Sequence, residues 1–235
     1  MPNLFKTLNI LNKYTLSILL LLSFSTYFIY EKKPETKETF AIAEEEQKTI
    51  FIDVGHGGSD PGYVKKVSGK EIYEKDINLK VAEYLVTYLQ ELGYKTEINR
   101  TTDTALASTK NGDMAKRVTQ INSNENSICV SIHQNSFTNS SAQGAQVFYH
   151  TKSKEGKLLA AAIQKSLKEN AHWGNKKNIS PNKDYYMLRK TKVPAVIVEC
   201  GFMSNPTELQ KLLNPDYQKT LAKAISIGID NYLNN

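Results

Sequence analysis

Short apolar runs rich in β-branched residues recur along the chain from residue 49 onward and predict the strands of a sheet. The first run, residues 50–54, carries one polar side chain, Asp53, and is followed at once by a glycine-rich turn. Short apolar runs bounded by turn residues are typical of buried strands. Four further runs predict strands at residues 94–99, 127–132, 144–150 and 193–200.

Helical periodicity fills the segments between these runs. It is clearest over residues 76–92, where apolar side chains recur on one face and Gly93 supplies a left-handed cap. Two closing helices each begin with a capping asparagine followed by proline, at Asn205 and Asn214. Other segments predict helices at 114–122 and 156–169, a loop or hairpin at 65–73, and an irregular basic stretch at 170–183.

This alternation of strands and helices predicts an α/β fold. We expect a single domain with a central, mostly parallel or mixed sheet covered by helices on both faces. The length of 235 residues, with 40% hydrophobic and 23% charged residues, suits one folded domain with a sizeable core and excludes a disordered or collagen-like chain.

The first thirty residues differ from the rest. Residues 14–30 contain no charge and are rich in Leu, Ile and Phe, and they come close to the shortest length that spans a bilayer. Because charged residues follow directly, without a small-x-small cleavage site, we favour an uncleaved anchor over a cleaved signal. The predicted organisation is a signal or membrane anchor at 1–30, a charged linker at 31–48 and a catalytic domain at 49–235.

The formal charge of +6 would suit an anionic partner, but the lysines are dispersed and no nucleic-acid-binding motif accompanies them. We read them as a solvated surface, with anionic wall polymers as a candidate partner and no nucleic acid. Cys129 and Cys200 lie in predicted strands. Export would permit a disulfide between them, but neighbouring central strands seldom offer the geometry, and two buried free thiols are favoured.

Three candidate site residues fall at the ends of separate predicted strands: His56, His133 and Glu199. A lone histidine in a glycine-rich turn usually only satisfies nearby backbone groups, but sites in α/β sheets form beyond the carboxyl ends of the strands. Two histidines and a carboxylate are one of the ligand sets of catalytic zinc. The carboxylate is either Glu71 or Glu74, and we choose Glu74 because the adjoining helix would hold it firmly.

Glu199 follows an apolar run in which an unpaired carboxylate would be costly to bury. It should therefore have a cation, a metal-bound water or a raised pKa, and each of these suits a general base; a structural ion pair, with Arg100 or Arg117 for instance, is the alternative. His150 and His172 lack such a context and are expected to be surface or loop residues. Motifs of serine hydrolases, nucleotide-binding enzymes and paired-cysteine sites are absent from the sequence.

Four motifs in order carry a resemblance to a known family: residues 52–58 (IDVGHGG), 74–79 (EKDINL), 131–135 (SIHQN) and 198–205 (VECGFMSN). With them, residues 49–232 resemble the zinc-dependent N-acetylmuramoyl-L-alanine amidases of the type 3 family. The resemblance implies that His56, Glu74 and His133 bind Zn²⁺ and that Glu199 is the catalytic glutamate. The bond cut would be the amide between the lactyl group of muramic acid and L-alanine in peptidoglycan. Val54, Gln134 and Cys200 depart from the usual pattern, but none of them replaces a ligand.

The short chain, with its apolar segment and without a wall-binding module, further resembles the germination-specific amidases of endospore formers. That implies action on cortex peptidoglycan during muramic-lactam formation, at the outer face of the cytoplasmic membrane or in the forespore intermembrane space. Only 65 residues separate His133 from Glu199, which leaves little room for an inserted blocking helix. We therefore expect an activating partner protein. An exported zinc carboxypeptidase acting on stem peptides and a non-catalytic wall-binding module are the alternatives.

Overall fold

A computed structural model describes residues 47–172 and 174–234 of the chain. The predicted anchor at residues 14–30 and nearly all of the charged linker lie outside the described residues. Of the helices that the described part contains, none combines the length and apolar character needed to cross a membrane.

Within residues 47–172 and 174–234, eight strands form one six-stranded sheet and a separate hairpin. In chain order they are β1 (Thr49–Val54), β2 (Val64–Val67), β3 (Lys70–Tyr73), β4 (Thr96–Ile98), β5 (Ser127–Asn135), β6 (Gln146–His150), β7 (Ser180–Asn182) and β8 (Ala195–Phe202). The large sheet has the order β4-β1-β5-β8-β6-β7, and β2 pairs with β3. Strands β4, β1, β5 and β8 are parallel, whereas β6 runs antiparallel to β8. The predicted mixed sheet is therefore confirmed.

In the described part of the chain, six helices cover the two faces of the sheet. They are α1 (Glu74–Glu91), α2 (Lys110–Ile121), α3 (Lys154–Asn170), α4 (Tyr186–Lys190), α5 (Pro206–Leu212) and α6 (Pro215–Leu233). Helices α1, α3 and α6 pack together over the larger apolar cluster on one face, and α2 and α4 close the smaller cluster on the other. Successive side chains of β1 point to opposite faces of the sheet: Ile50 and Ile52 belong to the larger cluster, and Phe51 belongs to the smaller one. The helices on both faces confirm the predicted layers.

Several predicted boundaries were wrong. Helix α2 begins at Lys110, earlier than predicted, because Thr109 caps it by accepting a hydrogen bond from the Gly112 backbone N–H, which sequence analysis had placed in a loop. Strands β5 and β8 continue beyond His133 and Glu199, so these two residues lie within strands and not at their ends. The register between β5 and β8 shifts after His133, and the two strands then pair again at Asn135 and Phe202. Strand β7 lies in the stretch predicted to be irregular, and α4 is too short for periodicity to reveal.

The two cysteines are free and buried, as predicted. Cys129 belongs to the smaller apolar cluster and Cys200 to the larger one, so the two thiols lie on opposite faces of the sheet. Side chains on opposite faces cannot meet the geometry that a disulfide requires.

Candidate active site

The turn after β1 carries His56 in a strained backbone conformation. His56 has a φ of 60°, a left-handed value that is uncommon for a residue with a side chain. Two arginines hold this turn by donating to its carbonyl oxygens. Arg100 Nη2 donates to Gly55 O over 3.0 Å, and Arg117 donates to both Val54 O and His56 O. The backbone of the turn is therefore fixed from two sides, and the direction of the His56 ring with it.

Arg117 is buried and is charge-compensated by acidic neighbours. It pairs with Asp53 over 2.9 Å and with Asp113. Asp53 also accepts from Ser131 Oγ and Asn99 Nδ2, each over 2.6 Å. Burial alone would raise the pKa of Asp53, but the Arg117 guanidinium and the Ser131 hydroxyl together hold that pKa below its usual value. No motif in the sequence predicts this network, and the one signal for it is the lone aspartate, Asp53, within an apolar strand.

Glu74 is the first residue of α1 and lies between the two histidines. Its Oε1 is 3.0 Å from His133 Nδ1 and 3.3 Å from His56 Nε2, while its Oε2 accepts from the Tyr63 backbone N–H over 2.9 Å. The histidine ring centroids are 4.9 Å apart. Glu71, the other candidate, lies in β3 and bonds the Tyr73 hydroxyl instead. Sequence analysis thus chose the carboxylate that the fold brings to the histidines.

The three side chains form a group that fits one metal ion. One ligand atom from each of His56, Glu74 and His133 lies within 4.8 Å of the others. Atoms bound to a tetrahedral zinc at about 2.0–2.2 Å lie roughly 3.3–3.5 Å apart, and the carboxylate–histidine distances of 3.0 and 3.3 Å come close to this spacing. His56 Nδ1 bonds Asp60 Oδ2 over 2.9 Å, which orients the ring and leaves Nε2 for a metal.

Two glycines leave the room that this group needs. A Cβ at Gly55 would lie 2.4 Å from the His133 ring, and one at Gly62 would lie 2.6 Å from Glu74 Oε2 and 2.7 Å from the His56 ring. Either methyl group would have to displace a candidate ligand. The glycines of the first motif are therefore required by the close packing of these side chains as well as by the turn.

Glu199 lies beside the candidate metal group without belonging to it. It pairs in register with His133 across strands β8 and β5. Its Oε2 is buried and has no hydrogen-bond partner among the described residues. Burial raises the pKa of Glu199 to about 7, against the opposing effect of His133. The alternative of an ion pair with Arg100 or Arg117 is wrong, because both arginines bond elsewhere.

The remaining histidines lie away from this group. His172 lies in the loop after α3, in line with the expectation of a surface or loop residue, but its side chain is only 9% exposed. Its Nε2 lies 2.6 Å from the Tyr217 hydroxyl and 3.1 Å from Cys200 O, and burial lowers the pKa of His172. His150 ends β6 and is partly exposed.

A cleft of about 300 Å³ opens beside the candidate site, between the sheet and helices α2 and α4. Its polar lining includes His56, Asp60, Lys110, His133 and Glu199, and its apolar wall includes Met114, Tyr185, Met187 and Ile197. Lys110 Nζ lies 3.9 Å from Asp60 Oδ2, with most of its side chain exposed to this cleft. An α/β sheet with a group that could hold a metal ion, a carboxylate whose buried Oε2 has no partner among the described residues, and an adjoining cleft is an arrangement suited to a hydrolytic enzyme.

Comparison with known proteins identifies the family within this class. Residues 50–231 match the family model described as N-acetylmuramoyl-L-alanine amidase. The chain belongs to this family, and the expectation that it is an amidase enzyme is confirmed. Among curated proteins, it is 37% identical to the germination-specific N-acetylmuramoyl-L-alanine amidase of Bacillus subtilis over 193 residues, which covers 79% of each chain.

Solved structures agree with this assignment. The CwlD amidase from Clostridioides difficile, determined in complex with the GerS lipoprotein, is 35% identical with a TM-score of 0.74 and matches 80% of this chain and 99% of that one. The N-acetylmuramoyl-L-alanine amidase from Clostridium difficile 630 is 33% identical with a TM-score of 0.72, and the match covers 80% of this chain and 98% of that one. The predicted fold class is shared with both relatives.

Proposed function

We propose that this amidase is zinc-dependent, with His56, Glu74 and His133 as the ligands and Glu199 as the general base. The scissile bond is the amide between N-acetylmuramic acid and L-alanine of the stem peptide. The observation that carries the proposal is the placement of a partly buried carboxylate, Glu199, whose buried Oε2 has no partner among the described residues, next to a group of three side chains that fits a metal.

His56, Glu74 and His133 would hold the zinc ion, which would supply a Lewis acid to polarise the scissile carbonyl and to make a water molecule more acidic. The protein orients the group through the contacts of its own side chains. Asp60 holds the His56 ring, and the Tyr63 backbone N–H holds the second oxygen of Glu74. Arg100 and Arg117 fix the turn from which His56 projects. These contacts leave little reorganisation for the reaction itself.

Glu199 accepts the proton of the attacking water on its unpartnered Oε2 and then gives a proton to the leaving amine of L-alanine. A carboxylate whose pKa is raised to about 7 suits both halves of this transfer, because it is a stronger base than an exposed glutamate and is readily protonated. Its location within β8 places it rigidly beside His133. The apolar wall of the cleft, which includes Met114 and Ile197, limits the water around the reacting groups.

The biological setting that we propose is the spore cortex, where removal of stem peptides precedes muramic-lactam formation. The similarity to a relative named as germination-specific supports this setting. The enzyme is exported and held by residues 14–30 at the outer face of the cytoplasmic membrane or in the forespore intermembrane space. An activating partner protein is part of the proposal, and the solved complex of a relative with a lipoprotein supports it.

The experiment is digestion of purified cortex and vegetative peptidoglycan, followed by mass spectrometry of the products. We expect free stem peptides that carry a new L-alanine amino terminus, formed only when zinc is present. Loss of single C-terminal residues from the peptides would support the carboxypeptidase alternative. Binding without any product would support the wall-binding module. Family membership and the assembled site favour the amidase over both.

A further inference from the structure

A group of exposed cationic side chains lies at the end of the sheet opposite the candidate site. Strands β1, β5 and β8 are parallel, so their first residues share one end of the sheet, while His56, His133 and Glu199 lie toward the other. Antiparallel β6 finishes at the first end, because Tyr149 pairs with Val196 near the start of β8. Between Ala195 and Glu199 the strand rises about 13 Å, which separates the two ends.

We name this group the basic face and define it by six exposed residues: Lys48, Lys152, Lys154, Arg189, Lys190 and Lys192. Lys48 immediately precedes β1, the next two follow β6, and the last three precede β8. Asn122, which follows α2, fixes the segment before β8 by donating to Lys190 O and accepting from the Lys192 backbone N–H. A cavity of about 560 Å³ lies among these side chains and is lined by Lys152, Lys154, Arg189 and Lys192.

The charge of this face is not neutralised. Across residues 47–172 and 174–234, none of its six side chains forms an ion pair, whereas Lys75, Lys110 and Arg117 on the catalytic side are all paired with aspartates. Glu155 is the one carboxylate among the described residues that line this cavity, and in the sequence the acidic residues Glu44, Glu45 and Glu46 precede Lys48. Glu155 accepts a hydrogen bond from the Tyr232 hydroxyl. Around the cavity, four cationic side chains face one carboxylate, so this part of the basic face keeps a net positive charge that is free to meet an anionic surface.

We propose that the basic face docks on the anionic phospholipid surface of a membrane. The proposal rests on the proposed anchoring by residues 14–30, and it adds the orientation of the catalytic domain. The described chain starts at the same end of the sheet, with Lys48 next to β1. The predicted linker 31–48 extends at most about 60 Å, which is long enough to let this face settle on the bilayer.

The location of the site favours a membrane over a wall polymer as the occupant. Glycan strands must enter the cleft at the carboxyl ends of the strands, and a face at the opposite end cannot guide them there. Docked through its basic face, the domain presents that cleft toward the wall. Each lysine or arginine near an anionic bilayer strengthens binding roughly fivefold in the partition coefficient, the equivalent of about 1 kcal/mol.

The test is co-sedimentation of residues 31–235, which keep the acidic residues Glu44 to Glu46 ahead of Lys48, with phosphatidylcholine vesicles that contain either no phosphatidylglycerol or a substantial fraction of it, at low and at physiological salt. The fragment is suitable because the solved chain of the Clostridium difficile 630 relative consists almost wholly of the matching region. We expect binding that depends on phosphatidylglycerol and weakens with salt. The triple variant Lys152→Glu, Lys154→Glu, Lys192→Glu should reduce the partition coefficient at least tenfold.

A matched control carries the same change in net charge elsewhere: Lys66→Glu, Lys70→Glu, Lys223→Glu, all exposed. Equal loss in both triple variants would overturn the proposal, because net charge alone would then explain binding. So would equal binding to vesicles with and without phosphatidylglycerol. Stronger binding per phosphate to soluble poly(glycerol phosphate) than to vesicles would assign the face to a wall polymer. Hydrolysis of a soluble muramoyl-peptide by both variants tests the proposed amidase site independently.

Discussion

His133 and Glu199 occupy paired positions on two adjacent parallel strands, β5 and β8. Side chains at paired positions project from the same face of a sheet, so one candidate ligand and the unpartnered carboxylate lie side by side. Glu74 approaches the same histidine from α1, at 3.0 Å from its Nδ1. One histidine thus has two glutamates as neighbours, and their different surroundings separate their expected roles.

Glu74→Ala should lose metal and activity together. The substitution removes the carboxylate between His56 and His133, and two histidines are too few ligands for a stable catalytic zinc site. Metal analysis of the protein purified without added zinc gives the primary measurement. Glu71→Ala is the matched control, since its carboxylate bonds only Tyr73 in the hairpin and its loss should leave metal content unchanged. A Glu74→Ala protein with stoichiometric zinc would remove Glu74 from the ligand set.

Glu199→Gln should retain the metal and lose turnover. The amide keeps the shape of the side chain but cannot take up the proton of the attacking water, and general-base catalysis typically contributes about 10²–10⁴-fold. We expect kcat for muramoyl-peptide hydrolysis to fall by roughly 10²-fold or more with little change in zinc content. Full activity in the purified variant would exclude Glu199 as the base.

The same Glu199→Gln variant should be more stable than the parent protein at high pH when both are metal-free. The pKa of Glu199 is raised to about 7 in the folded state, against an ordinary value of 4.5. The folded state therefore binds more protons than the unfolded state between these values, and stability is lost as pH rises from about 4.5 to about 7. Because glutamine does not titrate, the variant does not lose this stability as the pH rises.

Urea unfolding in the presence of a chelator measures this difference. We expect the variant to gain on the order of 1–3 kcal/mol at pH 8 and almost nothing at pH 4, after allowance for the partial exposure of the site. Equal stability of the two proteins across the whole range would show that burial does not raise the pKa of this carboxyl.

Arg117→Met should destabilise the protein strongly. The change leaves Asp53 buried without its guanidinium partner, removes one donor to Val54 O and leaves His56 O without the hydrogen bond from Arg117. Removal of one partner from a buried ion pair costs about 3–5 kcal/mol, and we expect that loss in the free energy of unfolding from urea titration. Adding Asp53→Asn should recover part of it. Lys116→Met, on the exposed side of the same helix, should change stability by only about 0.5 kcal/mol.

Gly62→Ala should disturb the site beyond its effect on the backbone. The new methyl group would lie 2.6 Å from Glu74 Oε2 and 2.7 Å from the His56 ring. Gly69→Ala is a matched control, since Gly69 has a similar positive φ but open space around its Cβ position. Both variants should lose about 1 kcal/mol of stability from backbone strain. Only Gly62→Ala should also lose zinc affinity, measured by competition with a chromogenic chelator; equal zinc affinity in both would contradict the packing argument.

The sequence by itself determined the elements and most of the site. Periodicity of apolar residues located the main strands and helices, because it reflects local geometry: two residues per repeat in a strand and 3.6 in a helix. The four motifs singled out His56, Glu74, His133 and Glu199, since each stands where a turn, helix start or apolar run leaves a chemically unusual residue. The family assignment that follows from these motifs is confirmed by the comparisons.

Only the tertiary structure decided which distant groups meet. The antiparallel direction of β6 and the pairing of His133 with Glu199 depend on strand order, which no local pattern encodes. The bonds of Arg117 to Asp53 and to the His56 turn join segments more than sixty residues apart in the chain. A buried charge without a partner is energetically costly, and this cost selects the pairing of Arg117 with Asp53. Because the cost arises only when the surrounding residues exclude water, it depends on the tertiary structure.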